Sequence, residues 1–198
     1  MAEVELAEYP REITQRFHGT PEQNAIALVG ERPARWDHIV IEDYDPAWVD
    51  RFAATRSLLD EALGGLVIAV EHVGSTSVPG LAAKPIIDIL LVVADPADED
   101  RYVAPLEQAG YRLVIREPDW HQHRVLKGPD TDINLHVHAE GSPEISRNLR
   151  FRDHLRADQA DRGLYQRAKQ ELAARHWAYI QQYADAKSGV VLDILRRS

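Results

Sequence analysis

Residues 73–88 read VGSTSVPGLAAKPIID, and this stretch decides the fold. It joins two extended segments. Residues 66–72 lead into it, and residues 85–93 (PIIDILLVV) leave it as an almost unbroken apolar run, the pattern of a central strand covered on both faces. Gly74, Ser75 and Thr76 directly follow the first of these strands. Glycine permits close backbone approach, and the hydroxyls can donate to phosphate oxygens. Consecutive N–H groups in such a turn can form an anion-binding nest. Lys84 places a positive charge just before the central strand. The spacing is not that of a Walker A loop: Gly74 and Gly80 are one residue too far apart, and Pro85 follows Lys84 where Ser or Thr would be needed. On composition alone, a polar loop capped by its own hydroxyls competes with a phosphate site.

Asp88 shifts that balance. A carboxylate set among Ile86, Ile87, Ile89 and Leu90 is costly to bury unless it is paired, hydrogen-bonded or bound to a metal. It can cap the amides of the loop, or hold a divalent cation opposite phosphates gripped at Gly74, Ser75 and Thr76.

Outward from this stretch, residues 38–42 (HIVIE) alternate as a strand. Asp45 and Pro46 start a helix whose stripe is Trp48, Val49, Phe52, Leu58, Leu59 and Leu63, stopped by Gly64 and Gly65. A helix is predicted over residues 97–109 and a strand over 111–116. Residues 121–126 and 132–138 flank the turn at Lys127, Gly128, Pro129 and Asp130 as a β-hairpin. Ser142 caps, and Pro143 begins, a helical part predicted over 143–156, 160–174 and 178–195. Residues 1–36 read as a partly ordered extension with a short helix at 11–17, and residues 37–198 as one domain that turns helical from about 143. The fold class is α/β (α+β), a mixed sheet flanked by helices with a helical C-terminal third.

The whole chain bounds the function. It has 198 residues, no cysteine and a net charge of −9. Thiolate metal sites, disulfides and cysteine catalysis are therefore excluded. General nucleic-acid binding is disfavoured, since phosphate neutralisation needs a basic face. Arg147, Arg150, Arg152 and Arg156 read as a solvated helix face. No apolar run reaches membrane-spanning length and the N-terminus lacks the layout of a signal peptide, so a cytoplasmic protein with a small-molecule or nucleotide ligand, and room for a protein partner, is expected.

The run EHVGSTSVPGLAAKPIIDILLVV at 71–93 closely resembles the signature of the GrpB family, which is placed in the polymerase β-like nucleotidyltransferase superfamily. DYDPAW at 43–48 resembles the family's opening motif, INLHV at 133–137 its later strand, and LRFRDHLR at 149–156 its helix. Tyr165, Lys169 and Lys187 fit its C-terminal helical pattern. The resemblance spans roughly residue 37 to the C-terminus. Some family members carry this domain attached to dephospho-CoA kinase, whose P-loop is not found here.

The resemblance implies a turn that holds a nucleoside triphosphate, and two alternating aspartates on the next strand that share magnesium. A third carboxylate on a neighbouring strand completes a two-metal site. Here the second acidic position is Leu90, which binds no metal.

Histidines can replace it. His136 and His138 share a strand face, as do His121 and His123 if their strand is regular, and His72 stands at the lip of the turn. The expected cation is Mg2+ or Mn2+ on Asp88, His72 and His136, with a transition metal as the alternative. Asp88 and His136 are the catalytic candidates; Gly74, Ser75, Thr76, Lys84 and Arg124 are the phosphate-binding candidates. Lys127, Asn134, Arg152, Asp153, Lys169 and Tyr44 stand behind them, and Trp120 can line a ligand mouth. Nucleotidyl or phosphoryl transfer leads; a non-catalytic ligand-binding or accessory module, and a His/Asp metalloenzyme, compete with it.

Overall fold

The computed structural model describes residues 26–30, 39–130, 132–177 and 180–198. The helix expected at 11–17, and the parts of other expected elements at His38, Ala178 and Tyr179, lie outside the described residues.

Helix α1 spans Ala47–Leu63. Its start is held by Asp45, whose Oδ1 accepts from the Ala47 amide at 2.9 Å. Trp48, Thr55, Leu59 and Leu63 fall on one face at helical spacing and are buried, whereas Val49 and Leu58 of the expected stripe are exposed. Gly64, at φ 52°, ends the helix. The strands are β1 (Ala69–Val73), β2 (Ile87–Val93), β3 (Arg112–Glu117), β4 (His123–Lys127) and β5 (Ile133–Ala139), with α2 (Val103–Gln108) between β2 and β3. Four further helices follow: α3 (Pro143–Ala157), α4 (Gln159–Ala173), α5 (Ile180–Ala186) and α6 (Ser188–Leu195).

The sheet order is β1-β2-β5-β4-β3. Only the central β2–β5 pair is parallel. A parallel neighbour needs a crossover rather than a tight turn, and α2, β3 and β4 form it. The hairpin expected from the turn at Lys127–Asp130 is present as the antiparallel β4–β5 pair.

Alternation along β2 divides the sheet. Ile87, Ile89, Leu91 and Val93 pack with Trp48, Leu59 and Leu63 of α1 and with Leu106 of α2, in a cluster joined by Leu126, Leu135 and Val137. Fully burying side chains of this kind contributes about 1.5–3 kcal/mol each. Asp88, Leu90 and Val92 point to the other face. There the C-terminal helices build a second, smaller cluster from Val78, Leu81, Leu155, Tyr165 and Ile194. The candidate residues around Asp88 lie between that cluster and the sheet.

Four expectations are corrected. In the described part of 38–42 only Glu42 pairs, bridging Ala83, so this segment is a tether and not a strand. The helix expected over 97–109 is reduced to a 3-10 turn at Glu99–Arg101 and the short α2. Ser142 sits where an N-cap belongs, but its hydroxyl makes no capping bond. Arg152 and Arg156 do not form a solvated face: Arg152 donates to Glu71 and the His72 carbonyl, and Arg156 to the Ser77 carbonyl, tying α3 to β1 and its turn.

Residues 27–29 bond to β3, with the Val29 amide donating to Val114 and the Arg116 amide to Ala27. No helix among the described residues is long and apolar enough to cross a membrane.

Candidate active site

The turn after β1 is built around Gly74, whose backbone (φ 68°, ψ −171°) belongs to a region that side chains avoid. Residues 75–77 form a single 3-10 turn. Two of its hydroxyls serve the turn itself. Ser77 donates to the Gly74 carbonyl at 2.6 Å. Buried Thr76 donates to the Ile86 carbonyl at 3.3 Å and lies 3.0 Å from His72 Nε2. Ser75 is half-buried and hydrogen-bonds Tyr165 of α4, which places its hydroxyl at the cleft.

Asp88 faces this turn from β2. Strand register sets Val73, Asp88 and Asn134 side by side, and in the next row Glu71, Leu90 and His136. Asp88 Oδ1 accepts from the Asn134 amide at 2.6 Å and lies 3.8 Å from His136 Nε2. Lys127 in turn donates to Asn134 Oδ1. Burial pushes the Asp88 carboxyl up, but His136, the Asn134 amide and the Lys84 ammonium outweigh it and hold the pKa at about 2.

Four lysines surround that carboxylate: Lys84 before β2, Lys127 on β4, Lys169 on α4 and Lys187 at the start of α6. Burial, then the neighbouring Lys187, lowers Lys84 to about 8 against the pull of Asp88. Burial and Lys187 likewise lower Lys169 to about 7, with Lys84 adding to the repulsion. Burial lowers Lys127 and Lys187 as well. Aromatic faces support the cluster: Lys169 lies 5.0 Å from the centre of the Tyr165 ring, and Lys84 and Lys187 lie 5.4 and 4.6 Å from that of Tyr183. Lys169 also donates to the Ala82 carbonyl, while Gln166 accepts from the Ala82 amide, so α4 clamps the loop that carries Lys84. Four lysines gathered around Asp88, with Asp132 acting on Lys127 besides, make the cleft locally basic and suited to a multiply charged anion.

The remaining histidines form a line across β4 and β5. His123 lies 3.1 Å from His136 and 2.7 Å from Glu117, and stacks on His138 at 4.6 Å. Trp120 meets His123 edge-on.

The family model described as GrpB protein matches residues 38–197. The chain belongs to the GrpB family. It is 54% identical over 179 residues to the UPF0157 protein BH1888 of Halalkalibacterium halodurans, covering 90% of this chain and 92% of that one. The crystal structure of the conserved protein GrpB from Enterococcus faecalis superposes with a TM-score of 0.70 at 34% identity, over 80% of this chain and 98% of the other. The structure of the GLD-2/RNP-8 complex has a TM-score of 0.50 at 15% identity, covering 76% of this chain and 58% of its own, a likeness of fold alone. The mixed sheet flanked by helices is thus a fold shared with that complex, and it is the fold class expected from the sequence.

On this GrpB frame the candidate residues separate. Gly74, Ser75, Lys84, Asp88 and His136 come together. Thr76 adjoins them, with its hydroxyl turned to the turn and to His72. His72 pairs with Ile89 in register and therefore faces the opposite side of the sheet from Asp88, its ring stacked 4.8 Å from Phe52 of α1. Burial lowers its pKa to about 4. Asp88, His72 and His136 thus do not converge as a ligand set. Arg124 also faces away: it pairs with Val137, is 3% exposed, and is held by Glu99 at 2.6 Å and by two backbone carbonyls. Lys127 takes the place at the cleft expected of Arg124.

His121 lies in the β3–β4 turn at φ 52° and not on a strand. Among the described residues a three-ligand grouping occurs at His154, Asp158 and Asp161, outside the cleft, where Arg197 and His154 already bind Asp161. Tyr183 is a cleft residue that sequence reasoning missed, Tyr165 and Lys187 were recognised only as parts of a helical pattern, and Lys169 stood among the secondary candidates. A signal was present: Tyr165 with Lys169 and Tyr183 with Lys187 are both tyrosine–lysine pairs four residues apart.

Proposed function

We propose that the cleft binds a nucleotide, or another small phosphorylated compound, through its phosphates and supports nucleotidyl or related phosphoryl transfer with one divalent cation. The observation that carries this reading is the set of Lys84, Lys127, Lys169 and Lys187 around Asp88, in a chain whose net charge is −9. Phosphates would enter against these ammonium groups, with the Ser75 hydroxyl and the amides of its turn as further donors.

The donor set fits a single cation. Asp88 offers a carboxylate oxygen, and His136 Nε2 stands 3.8 Å from it on the same face. Leu90, 1% exposed between Glu71 and His136 in register, offers nothing, so a two-cation site lacks a ligand. A mixed oxygen and nitrogen set suits Mn2+ better than Mg2+, which favours oxygen alone. The cation would polarise the transferred phosphate. The lysines would neutralise charge on its oxygens as the bond to the leaving phosphate breaks and that to the acceptor oxygen forms. Where Asp88 alone holds the cation, His136 Nε2 is the candidate to take the acceptor's proton.

The test pairs calorimetric binding of nucleoside triphosphates, with Mn2+ or Mg2+, with transfer to a labelled acceptor. Asp88→Asn should abolish both. A well-folded protein that binds no nucleotide with either cation would overturn the reading. Buried Leu90 favours a second reading, a ligand-binding or accessory module without turnover. It calls for binding that survives chelation of the cation, and for no transfer to any acceptor.

A further inference from the structure

We propose that the buried hydroxyl of Tyr183 is a ligand contact of the lysine cleft, donating to an oxygen of the bound phosphate at a subsite flanked by Lys84 and Lys187. The ligand is the phosphorylated compound of the function proposed above, and the contact rests on that reading.

Tyr183 lies on α5 and is 1% exposed. Trp177 meets its ring edge-on at 6.3 Å, and Trp177 is itself fixed by a bond from its indole N–H to the Leu172 carbonyl. The Lys187 and Lys84 ammonium groups stand 4.6 and 5.4 Å from the centre of the same ring. These neighbours place the ring, and the ring places its hydroxyl. Among the described residues that hydroxyl is buried and makes no hydrogen bond. Buried polar groups in folded proteins are nearly always bonded, and one that is not costs stability. The other tyrosine of the cleft supplies the contrast. Tyr165 stands to Lys169 as Tyr183 stands to Lys187, four residues before it and under its ammonium, but the Tyr165 hydroxyl is bonded to Ser75. His138 Nδ1 and Ser142 Oγ are also buried without partners, but neither belongs to the lysine cluster.

The surroundings define the missing partner. An ammonium group has only donors, so neither Lys84 nor Lys187 can accept the hydroxyl proton. What the hydroxyl lacks is an acceptor, and what two ammonium groups beside it favour is negative charge. A phosphate oxygen is both. A sugar hydroxyl meets the first requirement alone, and a cation meets neither. Lysine side chains are long and rotatable, so ammonium groups drawn from the ring onto phosphate oxygens clear a way to the hydroxyl. The ligand-free protein carries the cost of an unmade bond, and the ligand removes that cost. Deleting the hydroxyl therefore moves stability and affinity in opposite directions.

Tyr183→Phe removes the hydroxyl and keeps the ring that meets Trp177 and the two lysines. In full-length, ligand-free protein this variant should melt about 2–4 °C above the wild type. Calorimetric titration with inorganic triphosphate in the presence of Mn2+ should give an affinity about 10-fold weaker than that of the wild type. Tyr165→Phe, which breaks the bond to Ser75, should instead lower the melting temperature. A tyrosine of purely structural importance would lose stability on the same change and leave triphosphate affinity alone. A melting temperature that does not rise in Tyr183→Phe overturns the open hydroxyl. Equal triphosphate affinity in the wild type and Tyr183→Phe overturns the contact and leaves the proposed function standing. Wild-type protein that binds no triphosphate overturns the proposed function and the contact together.

Discussion

The Asp88 carboxylate rests on the Cα of Gly74: a Cβ built at residue 74 would stand 2.3 Å from Asp88 Oδ2 and 2.9 Å from Asp88 Cβ. The turn and the acid are therefore one unit, and the glycine is required twice, for its backbone angles and for this contact. Gly74→Ala should destabilise the protein by about 3 kcal/mol, combining backbone strain with steric overlap. In an Asp88→Ala background the overlap with the carboxylate disappears while the strain stays. Chemical denaturation of the two single variants and the double variant should give a coupling of about 1 kcal/mol. Strict additivity would show that the carboxylate does not press on residue 74.

Lys169 gives the site its own pH dependence. Burial and the neighbouring lysines lower its pKa to about 7, and that of Lys84 to about 8. A polyphosphate binds the charged forms better and raises both pKa values on binding. Affinity should therefore be high at low pH and fall as pH rises through 7 to 9. Binding near pH 8 should take up protons, read by calorimetry as a difference between Tris and HEPES buffers. Lys169→Met should weaken binding about 10-fold, or about 1.4 kcal/mol, and reduce the proton uptake. Its cost in stability should stay near 1 kcal/mol, the bond to the Ala82 carbonyl, because a cation that is 2% exposed gains little from its position. Affinity that does not change with pH would contradict this account.

Arg124 and Lys127 lie on one strand at an odd spacing, so they face opposite sides of the sheet. Each should fail differently on truncation. Arg124→Leu breaks the ion pair with Glu99, which keeps Arg116 as a second partner, and should cost about 2 kcal/mol of stability with little effect on nucleotide affinity. Lys127→Met should lower affinity about 10-fold with a small change in stability. Thermal unfolding and calorimetry on the two variants check the division; an affinity loss in well-folded Arg124→Leu would reverse it.

The same parity explains how far the sequence could be read. The strand predicted over 85–93, the turn before it and the hairpin predicted from 121–126 and 132–138 follow from apolar pattern and turn residues, and the structure contains them, with the strands at Ile87–Val93, His123–Lys127 and Ile133–Ala139. Asp88 was legible because a lone carboxylate in an apolar run demands an explanation. His72 and Arg124 were misplaced because a residue's face depends on pairing register, which one strand's sequence does not contain. Residues 38–42 alternate as a strand should, yet in the described part, residues 39–42, only Glu42 bridges, to Ala83, since β-propensity alone does not supply a pairing partner. Lys169, Tyr183 and Lys187 reach the site from helices far along the chain. Only tertiary packing brings them to Asp88.

Leu90 offers the sharpest test of how many cations the site holds. It is two residues beyond Asp88 on the same face, about 7 Å along the strand. Leu90→Asp would place a second carboxylate where the family resemblance implies one. The position is 1% exposed, with Glu71 and His136 as its register neighbours, so the bare variant should lose about 3–5 kcal/mol. A cation shared between residues 88 and 90 would repay part of that loss. Mn2+ should therefore raise the melting temperature of Leu90→Asp by more than it raises that of the wild type, and Asp88→Asn should remove the difference. Leu90→Asn, similar in shape and polarity but uncharged, should show the loss without the recovery. If Mn2+ stabilises Leu90→Asp no more than the wild type, the cation does not sit beside Asp88.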